Sequence, residues 1–119
     1  MNEKTEKESV EFDVSLPYTV GKMLMDYNIS VACAESCTGG MFAQTLTDIP
    51  GISAVFDRGI VTYSNKAKIE ELGVKSQTLD KYGAVSEQTA VEMAEGIKRK
   101  ANTRIGVSVT GVAGPGGDH

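Results

Sequence analysis

Histidine is all but missing from this sequence: the single example, His119, is the last residue. That withholds the usual general base from any serine or cysteine nucleophile in the body of the chain. Cysteine occurs twice, at Cys33 and Cys37, too few for a disulfide framework. A C-x3-C pair with no histidine nearby also falls short of the four nitrogen or sulfur ligands of a structural zinc site, so no metal and no cofactor is expected. Cys33 reads instead as a buried strand residue and Cys37 as a small loop residue. No apolar run approaches the length of a membrane span and no secretory leader is visible, which predicts no membrane partner and a reducing cytoplasm.

A positive excess is missing too. The net charge is -4, and most of it sits in residues 1–13, where Glu3, Glu6, Glu8, Glu11 and Asp13 face two lysines. The body, residues 14–119, holds eleven acids and ten bases. With no basic stripe, direct nucleic-acid binding has no electrostatic support. Residues 1–13 read as a charged, disordered tail, and 14–119 as one domain able to bury a modest core. The chain stops at Asp118-His119, directly after Gly114-Pro115-Gly116-Gly117. This reads as a domain truncated at its C-terminus.

What is present is a regular alternation of apolar runs and helical patterns. Ser15-Leu16-Pro17 opens a helix over 16–27, with Leu16, Val20, Met23, Leu24 and Tyr27 at helical spacing. A strand is predicted at 29–34, a helix at 38–48 and a second strand at 57–63. Ser64 caps a helix over 65–72 that Gly73 closes. Ser76 caps a short helix ending near Tyr82-Gly83, and Ser86 caps a longer one over 87–101. Its last turn carries Lys98, Arg99 and Lys100, where the helix dipole favours positive charge. A final strand spans 104–110. Strands separated by helices indicate an α/β fold, a layered α/β/α domain with a parallel or mixed central sheet. Loops 35–40, 64–66 and 111–117 leave strand ends, and in a parallel sheet all three converge on one crevice.

Ala34-Glu35-Ser36-Cys37-Thr38-Gly39-Gly40 is the most telling segment. A strand runs into a turn that opens a helix, which predicts an exposed Ser36 hydroxyl beside a row of unpaired helix N–H groups able to hold an anion. Without histidine, a serine nucleophile needs another base, and lysine serves when its surroundings lower its pKa. Tyr63-Ser64-Asn65-Lys66-Ala67-Lys68 offers a phenol and two lysines at a strand-to-helix junction. Lys66 and Lys68 point about 200° apart on a helix. Lys68, beside Ile69 and four residues before Leu72, takes the inner side and leaves Lys66 in solvent. Taken singly, Ser36 reads equally well as a helix cap, and Lys68 reads more readily as a surface lysine.

Four stretches in order alter that balance: Glu35 to Gly40, Phe56 to Lys68, Gly83-Ala84-Val85-Ser86-Glu87, and Ser108 to Gly117. Together they resemble the CinA C-terminal-domain family, the bacterial nicotinamide-nucleotide amidohydrolases, over about residues 15–117. The resemblance implies hydrolysis of the carboxamide of nicotinamide mononucleotide to nicotinic acid mononucleotide and ammonia, without a metal. It puts the nucleophile at Ser36 and the acid–base pair at Tyr63 and Lys68. The nucleotide is expected to meet Thr38, Gly39, Gly40, Asn65, Thr110, Gly111 and Gly114. Lys66 stands where the family often has an acid. Family members continue past the glycine loop with a strand, a basic residue and a closing helix, and long members carry an N-terminal domain, so the resemblance is to the stand-alone deamidase form. A homo-oligomer is expected. The alternatives are a non-catalytic nucleotide-binding module and a protein linked to competence or DNA damage. Ser36, Tyr63 and Lys68 together favour the enzyme, since binding alone needs no such trio.

Overall fold

A computed structural model of the 119-residue chain describes residues 15–112. The predicted tail at 1–13 and the binding residue Gly114 lie outside these residues. Helix α1 spans Ser15–Asp26, β1 Val31–Glu35, α2 Met41–Thr47, a 3-10 turn Ile52–Ala54, β2 Phe56–Val61, α3 Asn65–Leu72, α4 Ser76–Tyr82, α5 Glu87–Ala101 and β3 Ile105–Val109. The three strands form a parallel sheet in the order β2-β1-β3, which gives the expected α/β architecture.

Strand alternation builds two cores from one central strand. Ala32 and Ala34 of β1 face Leu72, Val74, Leu79, Met93 and Ile97, contributed by α3, α4, α5 and the α3–α4 link. Val31 faces the other way, onto Leu46, Ile49, Ile52 and Val55 beneath α1 and α2. All five residues of β1 are buried, as expected of a strand paired on both sides and covered on both faces. Glu35 pairs in register with Val61 on one side and Val109 on the other. The three strands thus end level with one another, and the loops that follow them start at one edge. Strand order changes direction between β1 and β3, the place where ligand crevices open in such sheets.

Chain punctuation explains the helices that match expectation. Ser64 Oγ accepts from Ala67 N at 3.0 Å, and Gly73 closes α3 at φ 73°. Ser86 Oγ accepts from Thr89 N at 3.1 Å, and α5 runs over 87–101 as predicted. Other boundaries differ. Gly39 and Gly40 both take positive φ, so α2 begins at Met41 rather than 38. The first strand is displaced toward the C-terminus and includes Glu35. Helix α4 is capped from another helix, not by Ser76: Glu92 of α5 accepts from Lys75 N at 2.9 Å and from Thr78 Oγ1 at 2.7 Å. Those bonds hold the Glu92 carboxyl below its usual range.

Helix α1 departs most from its expected packing. Gly21, Leu24 and Met25 face the core, with Gly21 against Ile49. Of the five residues at helical spacing, Leu24 packs against the core, while Leu16, Val20, Met23 and Tyr27 are exposed. Helical spacing identifies an apolar face, but says nothing of what covers it.

Helix α3 is held close to α5 by a missing side chain. A Cβ at Gly96 would overlap the carbonyl of Leu72, the last residue of α3. Alanine favours a helix by about 1 kcal/mol over glycine, but backbone on the far side cannot rotate away. Gly96→Ala is therefore expected to lower stability by about 2 kcal/mol through overpacking, read as a lower urea midpoint.

Candidate functional site

Ser36 and Lys68 meet at the level edge of the sheet. Ser36 follows the last residue of β1, and its N–H donates to Val109 O at 2.9 Å, tying the β1 exit to β3. Alternation turns its side chain to the α3 side, the face of Ala32 and Ala34. There Lys68 Nζ lies 3.0 Å from Ser36 Oγ. Lys68 is 1% exposed and Ser36 7%, so the hydroxyl is sheltered within the fold and not exposed as expected. The amine also donates to the carbonyls of Thr62 at 2.9 Å and Tyr63 at 3.3 Å, the two residues that follow β2. Thr62 N in turn donates to Glu35 O at 2.8 Å, which fixes those carbonyls against β1. Lys66 is solvent-exposed beside Glu70, as its position predicts.

The helix N-terminus beside Ser36 is already filled. Glu35, 1% exposed, turns to the opposite face from Ser36 and reaches α2. Its Oε1 accepts from Thr38 Oγ1 at 2.5 Å, Gly40 N at 3.1 Å and Phe42 N at 3.0 Å. Its Oε2 accepts from Ala43 N at 2.8 Å. The row of open helix N–H groups expected from the sequence is thus closed by the protein's own carboxylate. Burial alone would raise the Glu35 pKa, but the bonds from Thr38, Ala43, Phe42 and Gly40 outweigh it and hold the carboxyl below its usual value. A depressed folded pKa means that this stabilisation is present above the ordinary carboxylate range. It is lost as pH falls through the folded value.

Two amides of the turn remain. Gly39 N donates to Ser36 O and Met41 N to Thr38 O, while the amides of Cys37 and Thr38 have no acceptor among the described residues. They directly follow Ser36.

The remaining predicted residues divide. Gly111 comes to the site: a Cβ there would sit 3.5 Å from Cys37 Sγ. Thr110, one residue past the carbonyl that binds Ser36 N, uses its hydroxyl elsewhere, donating to Ala84 O at 2.9 Å. Tyr63 reaches Lys68 through its carbonyl, while the residue is 76% exposed. Asn65 is exposed at the start of α3. A residue overlooked in the sequence is Thr62, fully buried, whose Oγ1 has no hydrogen-bond partner among the described residues. An apolar groove of about 340 Å³ lies on the α1–α2 side, bordered by Leu16, Val20, Met41, Phe42 and Val109, and includes neither Ser36 nor Lys68.

Among the described residues no group of three histidine, cysteine, aspartate or glutamate side chains could hold a metal ion, and no helix is long and apolar enough to cross a membrane.

The profile of the family described as CinA C-terminal domain matches residues 13–119. A protein of Acetivibrio thermocellus, provisionally named competence-damage inducible protein, is 63% identical over 105 residues, covering 88% of this chain and 25% of its own length. A Clostridium perfringens protein with the same provisional name is 60% identical over 107 residues, covering 90% of this chain and 26% of its own. The chain thus spans about a quarter of these curated relatives. Among solved structures, the competence/damage inducible protein CihA of Agrobacterium tumefaciens superposes with a TM-score of 0.85 at 45% identity, covering 93% of this chain and 69% of that one. A CinA superfamily protein of Klebsiella pneumoniae superposes with a TM-score of 0.87 at 36% identity, covering 92% and 68%.

The two cysteines differ in a way that chemistry can read. Cys33 is fully buried, and burial, then the charge and hydrogen bond of Glu35, push its thiol up to about 12. Its thiolate is therefore scarce near neutral pH, and the thiolate is the reactive form. Cys37 is half-buried in the turn. Iodoacetamide at about pH 8, near the ordinary thiol range, is expected to modify Cys37 in the native protein and Cys33 only after denaturation, read by peptide mass spectrometry.

Proposed function

The chain belongs to the CinA C-terminal domain family, and from that membership and the Ser36–Lys68 contact we propose that it hydrolyses the carboxamide of nicotinamide mononucleotide. The observation that carries this reading is a buried amine 3.0 Å from a buried serine hydroxyl, in a sequence whose one histidine is His119.

General-base action needs a neutral amine, and removal from water favours that form. A neutral amine has two hydrogens. Placed on the carbonyls of Thr62 and Tyr63, they turn the nitrogen lone pair toward Ser36. Ser36 Oγ then gives its proton to Lys68 and attacks the carboxamide carbon. The oxygen of the tetrahedral intermediate gains a negative charge, which the open amides of Cys37 and Thr38 are suited to receive. Lys68, now an ammonium, returns the proton to the leaving nitrogen. The C–N bond breaks, ammonia departs and an ester to Ser36 remains. Water attacks that ester with Lys68 again as base, releasing nicotinic acid mononucleotide and restoring the serine.

The helix amides that Glu35 occupies do not receive the substrate phosphate in this scheme. That role is assigned to the stretch beginning at Thr110 and Gly111. Gly39 and Gly40 give the turn its shape, Thr38 contributes its amide, and the exposed Tyr63 and Asn65 take no proton in this scheme. The relatives' names refer to competence and damage, but the body of the chain offers no positive excess to carry a nucleic-acid role.

Ammonia release from nicotinamide mononucleotide by the full-length protein tests the reading. Ser36→Ala is expected to abolish turnover with the fold intact. Lys68→Ala should cost about 10²–10⁴-fold, the usual worth of a positioned acid–base group, while Lys66→Ala stays near wild type. Equal losses at the two lysines would remove Lys68 from the mechanism.

A further inference from the structure

The buried carboxylate of Glu35 has no place in the proton transfers above, yet it accepts four hydrogen bonds, two from the turn after Ser36 and two from the start of α2. Helix α2 starts after Gly40, which has no side chain with which to cap it. Orphan amides at a helix start must find an acceptor when they are out of water. Glu35 supplies it from the preceding strand. Phe42 N and Ala43 N are first-turn donors of α2, and Gly40 N and Thr38 Oγ1 belong to the turn itself. One side chain therefore ties β1, Thr38 and Gly40 of the turn, and the α2 start into one unit.

The backbone consequence is specific. The next residue, Ser36, is sent to the opposite face and meets Lys68. The amides nearest the nucleophile, those of Cys37 and Thr38, are the ones left without an acceptor. We infer that Glu35 is a positioning residue: its carboxylate locks the turn so that Ser36 Oγ stays on Lys68 while the Cys37 and Thr38 amides converge on the oxygen of the tetrahedral intermediate. The same carboxylate closes the α2 N-terminus to the substrate's own negative charge. This inference rests on Ser36 being the nucleophile and Lys68 its base.

Glu35→Gln keeps the volume but points an NH2 group at amide donors. Glu35→Asp keeps the charge but is one methylene too short to reach every donor. Turnover and the rate of Ser36 phosphonylation by a fluorophosphonate, whose adduct copies the tetrahedral oxyanion, are measured on the full-length protein. Circular dichroism and thermal melting establish that each variant is folded. Glu35→Gln is expected to lower kcat about 10²-fold, the scale of losing one oxyanion donor, with KM for nicotinamide mononucleotide within about threefold because the phosphate is held elsewhere. Phosphonylation should fall in parallel, and Glu35→Asp should recover part of both.

A purely architectural carboxylate would lower the melting temperature and leave kcat and phosphonylation of the folded protein unchanged, which overturns the inference. A loss expressed mainly in KM also overturns it. If Glu35→Gln does not fold, Glu35→Asp decides by the same rates. If the wild-type protein releases no ammonia yet Ser36 is phosphonylated in a Lys68-dependent manner, the assigned substrate falls. The phosphonylation rates then still decide for or against Glu35.

Discussion

At the end of β1, a period of two residues sends Glu35 to one face of the sheet and Ser36 to the other. Everything at the candidate site depends on that division. The acid fastens the turn to α2, and the serine is delivered to a lysine on α3. The first contact spans at most eight residues, but the second is not local. Lys68 lies 32 residues beyond Ser36 and is brought in because β2 runs parallel to β1 and hands the chain to α3 at the same level. A one-residue slip of β1 would exchange the two side chains between faces and destroy both arrangements at once.

Burying an amine is costly, and the surroundings show how the cost is limited. Two main-chain carbonyls and a hydroxyl lie within hydrogen-bond distance of Nζ, so the buried nitrogen has polar neighbours. The carbonyls are themselves held by the Thr62 N–H on Glu35 O. Gly96 lets α5 press against the end of α3 and keeps the helix that carries Lys68 from withdrawing. A tight backbone contact more than one helical turn from the amine thus contributes to where the amine sits.

Much of this was legible in the sequence where side chains act as local signals. Ser64, Gly73 and Ser86 mark the ends of α3 and α5 because a cap is a short-range device. The choice of Lys68 over Lys66 followed from helical spacing, although only Leu72 of the two apolar guides is buried and Ile69 is partly exposed. The expected anion cradle failed for a single reason: β1 extends to Glu35, and residue 35 assigned to a loop has no defined face. The clue available was a helix start at two glycines with no capping side chain, which demands an acceptor from elsewhere. Thr62 and Tyr63 act through carbonyls, which every residue has, so no sequence pattern announces them. Helix α1 shows the converse limit, since its spacing was correct while only Leu24 of the spaced residues is covered.

The order of the sheet also bears on how the chain comes to be folded. The central strand gains its first neighbour soon after it is made, from β2. Its second comes only with β3, and the bond from Arg104 N to Ser30 Oγ spans 74 residues. A growing chain that has produced β1 and β2 therefore carries a middle strand, apolar but for Glu35, with one edge open until β3 has emerged. Open edges of apolar strands are where chains join one another by mistake. The strand that leads into Ser36 is thus a part of the nascent protein that needs protection during synthesis.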